Sequence, residues 1–148
     1  MRITIPGMLA VLLLSACAAR PNDALVFTIE QALITSPQGA DLGGVVGGDW
    51  DRLCIFRPFT TYEQVDSVIG TRWSATRSTQ IEESDSATLL TFLRGADVRD
   101  YVLFPREKGD WGTPGPETWY CRPRGSAVFE MRQPFDGTIP WIGPADGR

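Results

Sequence analysis

The densest apolar run lies at the start of the chain. Met8-Leu9-Ala10-Val11-Leu12-Leu13-Leu14 follows a lone positive charge at Arg2 and a Pro6-Gly7 pair. This run is far shorter than the roughly 20 residues a bilayer-spanning helix needs, but it suits the apolar part of an export signal. Further on, Leu25, Ile29, Ala32 and Leu33 share one helical face within residues 22–35, with Asn22 or Asp23 placed to cap it. The Val26–Ile29 stretch is equally strand-like, so the pattern leaves both elements open. Residues 36–48 carry no periodicity and are rich in glycine, which predicts a flexible connector.

Arg52-Leu53-Cys54-Ile55-Phe56-Arg57 has apolar residues at both parities, as in a strand covered on both faces, and Pro58 ends it. Thr60-x-x-Glu63 then has the spacing of a capping box. The helix it predicts would bury Tyr62, Val65, Val68 and Ile69 and stop at Gly70. Residues 72–81 read as a strand anchored by Trp73 and Ile81, followed by an acidic turn at 82–86. Residues 88–94 and 98–104 flank Gly95-Ala96-Asp97 as a β-hairpin. A second hairpin is predicted from 118–121 and 126–132, the latter alternating Ala127, Phe129 and Met131 with Val128, Glu130 and Arg132. Residues 105–117 and 133–148 read as Pro/Gly-rich loop and tail. The sum is an α+β domain: a small antiparallel sheet of about five or six strands with one or two helices on one face.

Composition narrows the chemistry. The 148 residues contain no histidine, which excludes Ser–His and Cys–His nucleophilic catalysis and any His-ligated zinc. The net charge of −4 argues against nucleic acid and against adsorption to anionic lipid. Gly43-Gly44-Val45-Val46-Gly47-Gly48 lacks the spacing of a phosphate-binding loop. The acidic turn at 82–85 lacks that of a calcium loop. No metal or cofactor is expected. Asp49 with Asp51, and Glu107 with Asp110, are the carboxylate pairs a hydrolase would need facing each other across a cleft. Ordinary surface solvation accounts for them as well.

Leu14-Ser15-Ala16-Cys17 resembles the bacterial lipobox. The resemblance implies that residues 1–16 are removed, that Cys17 carries diacylglycerol and usually a further acyl chain such as palmitate, and that the protein is held to a membrane by this lipid. The alternative is an ordinary signal peptide with an incidental cysteine. Ala18 and Ala19 lack the aspartate that retains some lipoproteins at the inner membrane. For a Gram-negative cell this implies the outer membrane, facing the periplasm. With Cys17 lipidated, Cys54 and Cys121 remain for a disulfide in an exported protein, against the alternative of two separate buried thiols. More loosely, the body resembles a group of small uncharacterised bacterial lipoproteins. That likeness rests on Trp50-Asp51-Arg52-Leu53-Cys54, Pro58-Phe59-Thr60, Phe104-Pro105-Arg106 and Asp110-Trp111, spans roughly residues 49–131 and implies a shared fold without an activity. The small outer-membrane assembly lipoproteins are similar in size and lipidation, but place two helices before their strands.

The chain thus divides into a signal (1–16), a lipidated N-terminus with helix and connector (17–48), an α+β domain (49–132) and a tail (133–148). The expected role is a non-enzymatic envelope lipoprotein that binds another envelope protein. A glycan- or peptidoglycan-binding lipoprotein is the alternative, with a carboxylate-based hydrolase behind it. Arg106, Asp110, Trp111 and Trp141 are the candidate contact residues, because aromatics in Pro/Gly-rich loops make rigid contact points.

Overall fold

The computed structural model describes residues 20–134 and 136–145, and the expected signal (1–16) and Cys17 lie outside them. Its α+β class is the expected one, and its strands divide between two four-stranded sheets. In chain order the elements are α1 (Asp23–Thr35), β1 (Ala40–Asp41), α2 (Leu42–Val45), β2 (Arg52–Phe56), α3 (Tyr62–Ile69), β3 (Ala87–Arg94), β4 (Asp97–Pro105), β5 (Asp110–Trp111), β6 (Trp119–Pro123), β7 (Val128–Arg132) and β8 (Trp141–Pro144). Sheet one runs β1-β7-β8-β5 and sheet two β4-β3-β2-β6.

The two-sided apolarity of β2 explains the layering. Leu53 and Ile55 face sheet one and join Phe92, Phe104, Trp111, Phe129 and Ile142 in the larger core. Cys54 and Phe56 face the other way, towards Val65 and Ile69 of α3 and towards Ile81. Helix α1 lies on the first side, against β4, β7 and α2. Asn22 caps it as the sequence predicts, accepting from the Leu25 N–H, and its backbone N–H donates to the Tyr101 carbonyl on the edge strand β4.

Several expectations change. The capping box of α3 is Thr61-x-x-Gln64, one residue later than the Thr60/Glu63 reading. Thr60 is needed elsewhere: it is fully buried, and its hydroxyl bonds to the Arg57 carbonyl and to Thr118. Residues 72–81 form a turn containing a 3-10 helix at Thr76–Thr79. Thr76, Ser78 and Thr79 each donate their hydroxyls to the carbonyl three residues back, a local pairing that competes with a strand ladder. The 36–48 connector is ordered. Leu42 and Val46 are buried, and a Cβ on Gly43 would run into the Arg124 carbonyl, so glycine serves close packing there.

The second hairpin is absent. β6 pairs with β2 in sheet two, whereas β7 pairs with β1 and β8 in sheet one. The chain changes sheets through a 3-10 turn at Arg124–Ser126. Loop 105–117 and the tail supply β5 and β8, which pair in parallel. The first hairpin is as expected, with Gly95 in the left-handed region at φ 59°.

Candidate functional site

The disulfide joins Cys54 and Cys121, which sit directly opposite each other on β2 and β6. Of the four predicted contact residues, Arg106 and Asp110 are together: the guanidinium Nε and Nη2 reach the two carboxylate oxygens at 3.2 and 3.4 Å. Trp141 stands opposite Asp110 in the β5–β8 ladder and is 37% exposed. Its indole covers Gly112 and Gly143, where a Cβ would collide with it, and Arg132 lies over its ring. Trp111 is a correction. It is fully buried, edge-on to Phe104 and Phe129. β5 points successive side chains to opposite faces, so the two tryptophans never share a pocket.

The carboxylates are largely engaged in ordinary contacts. Asp49 pairs with Arg94, Glu82 accepts from the Tyr62 N–H at the start of α3, and Glu83 accepts from the Tyr62 hydroxyl. Burial, then that bond to Glu83, pushes the Tyr62 phenol above its ordinary pKa. Among the described residues no three His, Cys, Asp or Glu side chains form a metal-holding group.

Two concave regions stand out. The larger is an open groove of about 910 Å³ between α3 and the turn after it, lined by Tyr62, Asp66, Arg72, Trp73 and Arg77 among others. Several of its polar groups serve each other. Asp66 Oδ1 accepts from the Trp73 N–H and the Thr76 hydroxyl, and Arg77 lies 5.3 Å from the centre of the Tyr62 ring. Trp73 rests edge-on against Tyr101.

The smaller is a cleft of about 320 Å³ formed by Arg57, Pro58, Phe59, Arg106 and Thr118. It is the better candidate, for three reasons. Phe59 is 61% exposed, an unusual position for so large an apolar ring. Its backbone is held at φ 67°, a region costly for a residue with a Cβ, by the Phe59 N–H donating to the Ile81 carbonyl and by Thr60 tied to Arg57 and Thr118. Finally, the buried Nε of Arg57 has no hydrogen-bond partner among the described residues. Arg106 closes the far wall, sharing its charge with Asp110 and, at 4.0 Å, with Asp85. A strained aromatic beside two arginines is a geometry that holds a carboxylate or carbonyl next to an apolar group.

The sequence reading found Arg106 but missed Arg57 and Phe59. An aromatic directly after a proline, between a strand and a capped helix, was the available signal. Arg124 was also missed. It donates to the carbonyls of Gly43, Val46, Gly48 and Trp50 and stacks 4.6 Å from the Trp50 ring centre.

Fold and cleft together define a small α+β domain of two packed sheets, stapled across adjacent strands by one disulfide. Comparison with protein-family models, with curated proteins and with solved structures gives no match to the chain.

Proposed function

We propose that the protein is a non-enzymatic lipoprotein of the bacterial cell envelope, anchored through Cys17 and binding another envelope protein through the Arg57–Phe59–Arg106 cleft. The export signal and lipobox pattern support the anchoring, and the disulfide fits an oxidising compartment. For a Gram-negative cell, the lack of an aspartate at Ala18 and Ala19 supports the outer membrane, with the domain facing the periplasm. The observation that carries the binding role is Phe59, exposed and held in a conformation that its own side chain disfavours. Strain of this kind persists where the surrounding structure enforces it, and it gathers at ligand-contact sites. Aromatic and arginine side chains are also those that dominate protein interfaces. The glycan reading is weaker, because it relied on Trp111 and Trp141 acting together and Trp111 lies in the core.

The test is crosslinking in cells from a photoreactive side chain in place of Phe59, with Cys17→Ala as the unanchored control. One envelope protein should be captured, and the capture should be lost in the control. With the partner in hand, Arg57→Ala should weaken binding about 30-fold, the ~2 kcal/mol of an interface hot spot. Phe59→Gly should do the same while leaving stability within about 1 kcal/mol, since glycine relieves the strain at its own entropic cost. Capture no greater than from a photoreactive side chain at Ser67, on the exposed face of α3, would remove the cleft from the account.

A further inference from the structure

Helix α1 is apolar on two sides. Ile29 and Leu33 are buried, but Phe27 and Ile34 stand 65% and 54% exposed. These two are seven residues apart, so they share a helix face. The only charged residues of the helix are Asp23 at its start and Glu30, whose carboxylate is held at 2.7 Å by Lys108. The outward positions after Asp23 therefore present Ala24, Phe27, Gln31, Ile34 and Thr35, with no charge. α3 is unlike this, exposing Glu63, Gln64 and Ser67. Val45 of α2, 46% exposed, extends the apolar surface across a shallow groove of about 470 Å³ that it lines with Phe27, Ala32 and Ala40. The one carboxylate in that groove, Asp41, is exposed at its edge, where it caps α2 by accepting from the Gly44 N–H.

We infer that this face of α1 and α2 seats on the lipid surface to which the chain is tethered. The inference rests on the reading of Cys17 as the lipidated residue. Asp23 lies six positions after Cys17, and six extended residues span at most about 20 Å. The first turns of α1 are thereby confined to the neighbourhood of the bilayer, whichever way the domain turns. An uncharged face with a protruding Phe and Ile, held so close, gains by entering the interfacial region. A chain of net charge −4 gains nothing from anionic head groups, so the contact is apolar and belongs on zwitterionic lipid. α1 and α3 lie on opposite sides of sheet two. Seating α1 on the membrane thus leaves α3 turned towards the aqueous side.

The experiment uses the full-length lipidated protein in vesicles of phosphatidylethanolamine and phosphatidylcholine. A benzophenone side chain replaces Phe27, Ile34 or, as control, Ser67 of α3. Irradiation should give adducts of phospholipid mass from the first two positions, about ten-fold or more above the third, and unchanged by salt. Phe27→Ser with Ile34→Ser should leave the anchor and the melting temperature in place, and should expose the α1 amides to faster hydrogen exchange on vesicles. Lipid adducts no more frequent at Phe27 and Ile34 than at Ser67, in protein whose Cys17 peptide carries its lipid by mass, overturn the seating while leaving the anchor intact. A Cys17 peptide without lipid overturns the anchor, and the seating with it. In cells, a protein adduct in place of lipid at Phe27 makes this face a protein interface and refutes the proposal.

Discussion

Tyr120 carries its ring into the core between the sheets, 8% exposed, yet its hydroxyl meets no hydrogen-bond partner among the described residues. Burial pushes its pKa far above the ordinary value, well ahead of the opposing pull of Arg122. An unfolded tyrosine ionises near pH ~10. Above that pH the unfolded chain has lost a proton that the folded chain retains, so stability must fall as pH rises. Tyr62 and Tyr101 are raised as well, chiefly by burial, and add to the slope in the same direction. Tyr120→Phe removes the unpaired hydroxyl without leaving a cavity. It should be neutral or stabilising by up to ~1 kcal/mol at pH 7, and should flatten the decline above pH 10. Denaturant melts of both proteins across pH 8–11 would decide it; a parallel decline in the two means that Tyr120 does not carry the effect. Nothing in the sequence marked this hydroxyl as unpaired, because pairing depends on what the second sheet brings beside it.

Legibility at the scale of elements followed how local each element's cause is. β2, α3 up to Gly70 and the β3–β4 hairpin each carry a local signal and could be read, whereas α1 was one of two elements its pattern allowed. Of sheet one only β7 could be read, within the alternating stretch 126–132, and its true partners could not. β1 and β5 are two residues long and β8 four, too short to show a period. Their partners lie far off in the chain, as in the pairing of Ala40 with Phe129. The same cause moved Trp111 from an imagined surface into the core: a Pro/Gly-rich loop reads as exposed until the tail lays β8 beside it. Arg106 and Asp110 were singled out as contact residues, but their pairing across four positions was not. Phe59 was missed, since its one local signal, an aromatic directly after Pro58, does not reveal a positive φ enforced by Ile81 and Thr118. Burial of Trp111 has a measurable consequence. Trp111→Ala should cost about 3–5 kcal/mol, the range for a large aromatic removed from a packed core, whereas a surface loop residue would cost a few tenths. Guanidinium unfolding measures this directly, and a loss below ~1 kcal/mol would return Trp111 to the surface.

For the molecule as a whole, the disulfide is placed where the chain leaves one sheet for the other. Cys121 lies on β6, an edge strand of sheet two, and two residues later Pro123 leads into the turn that delivers β7 to sheet one. Bonded to Cys54 on the inner strand β2, it fixes the edge strand from which sheet one is suspended. The bridge also spans 67 positions that include α3, β3, β4 and β5. A loop of that length is stabilised by roughly 4 kcal/mol in the chain-entropy picture, a large share of the 5–15 kcal/mol typical of a domain. Reduction should therefore lower the melting temperature by on the order of 10–20 °C. A Cys54→Ala, Cys121→Ala double variant should fall as far, since small cavities on the α3 side add to the loss. Hydrogen exchange would show where the loss falls. The amides of β6, β7 and β8 should open before those of β2 and β3, because the inner strands keep partners on both sides while the edge strand loses its clip. Melting curves with and without reductant, followed by exchange on the reduced protein, test both halves of this argument. A shift under about 3 °C, or uniform exchange across the two sheets, would show that packing between the sheets and not the bridge holds the joint.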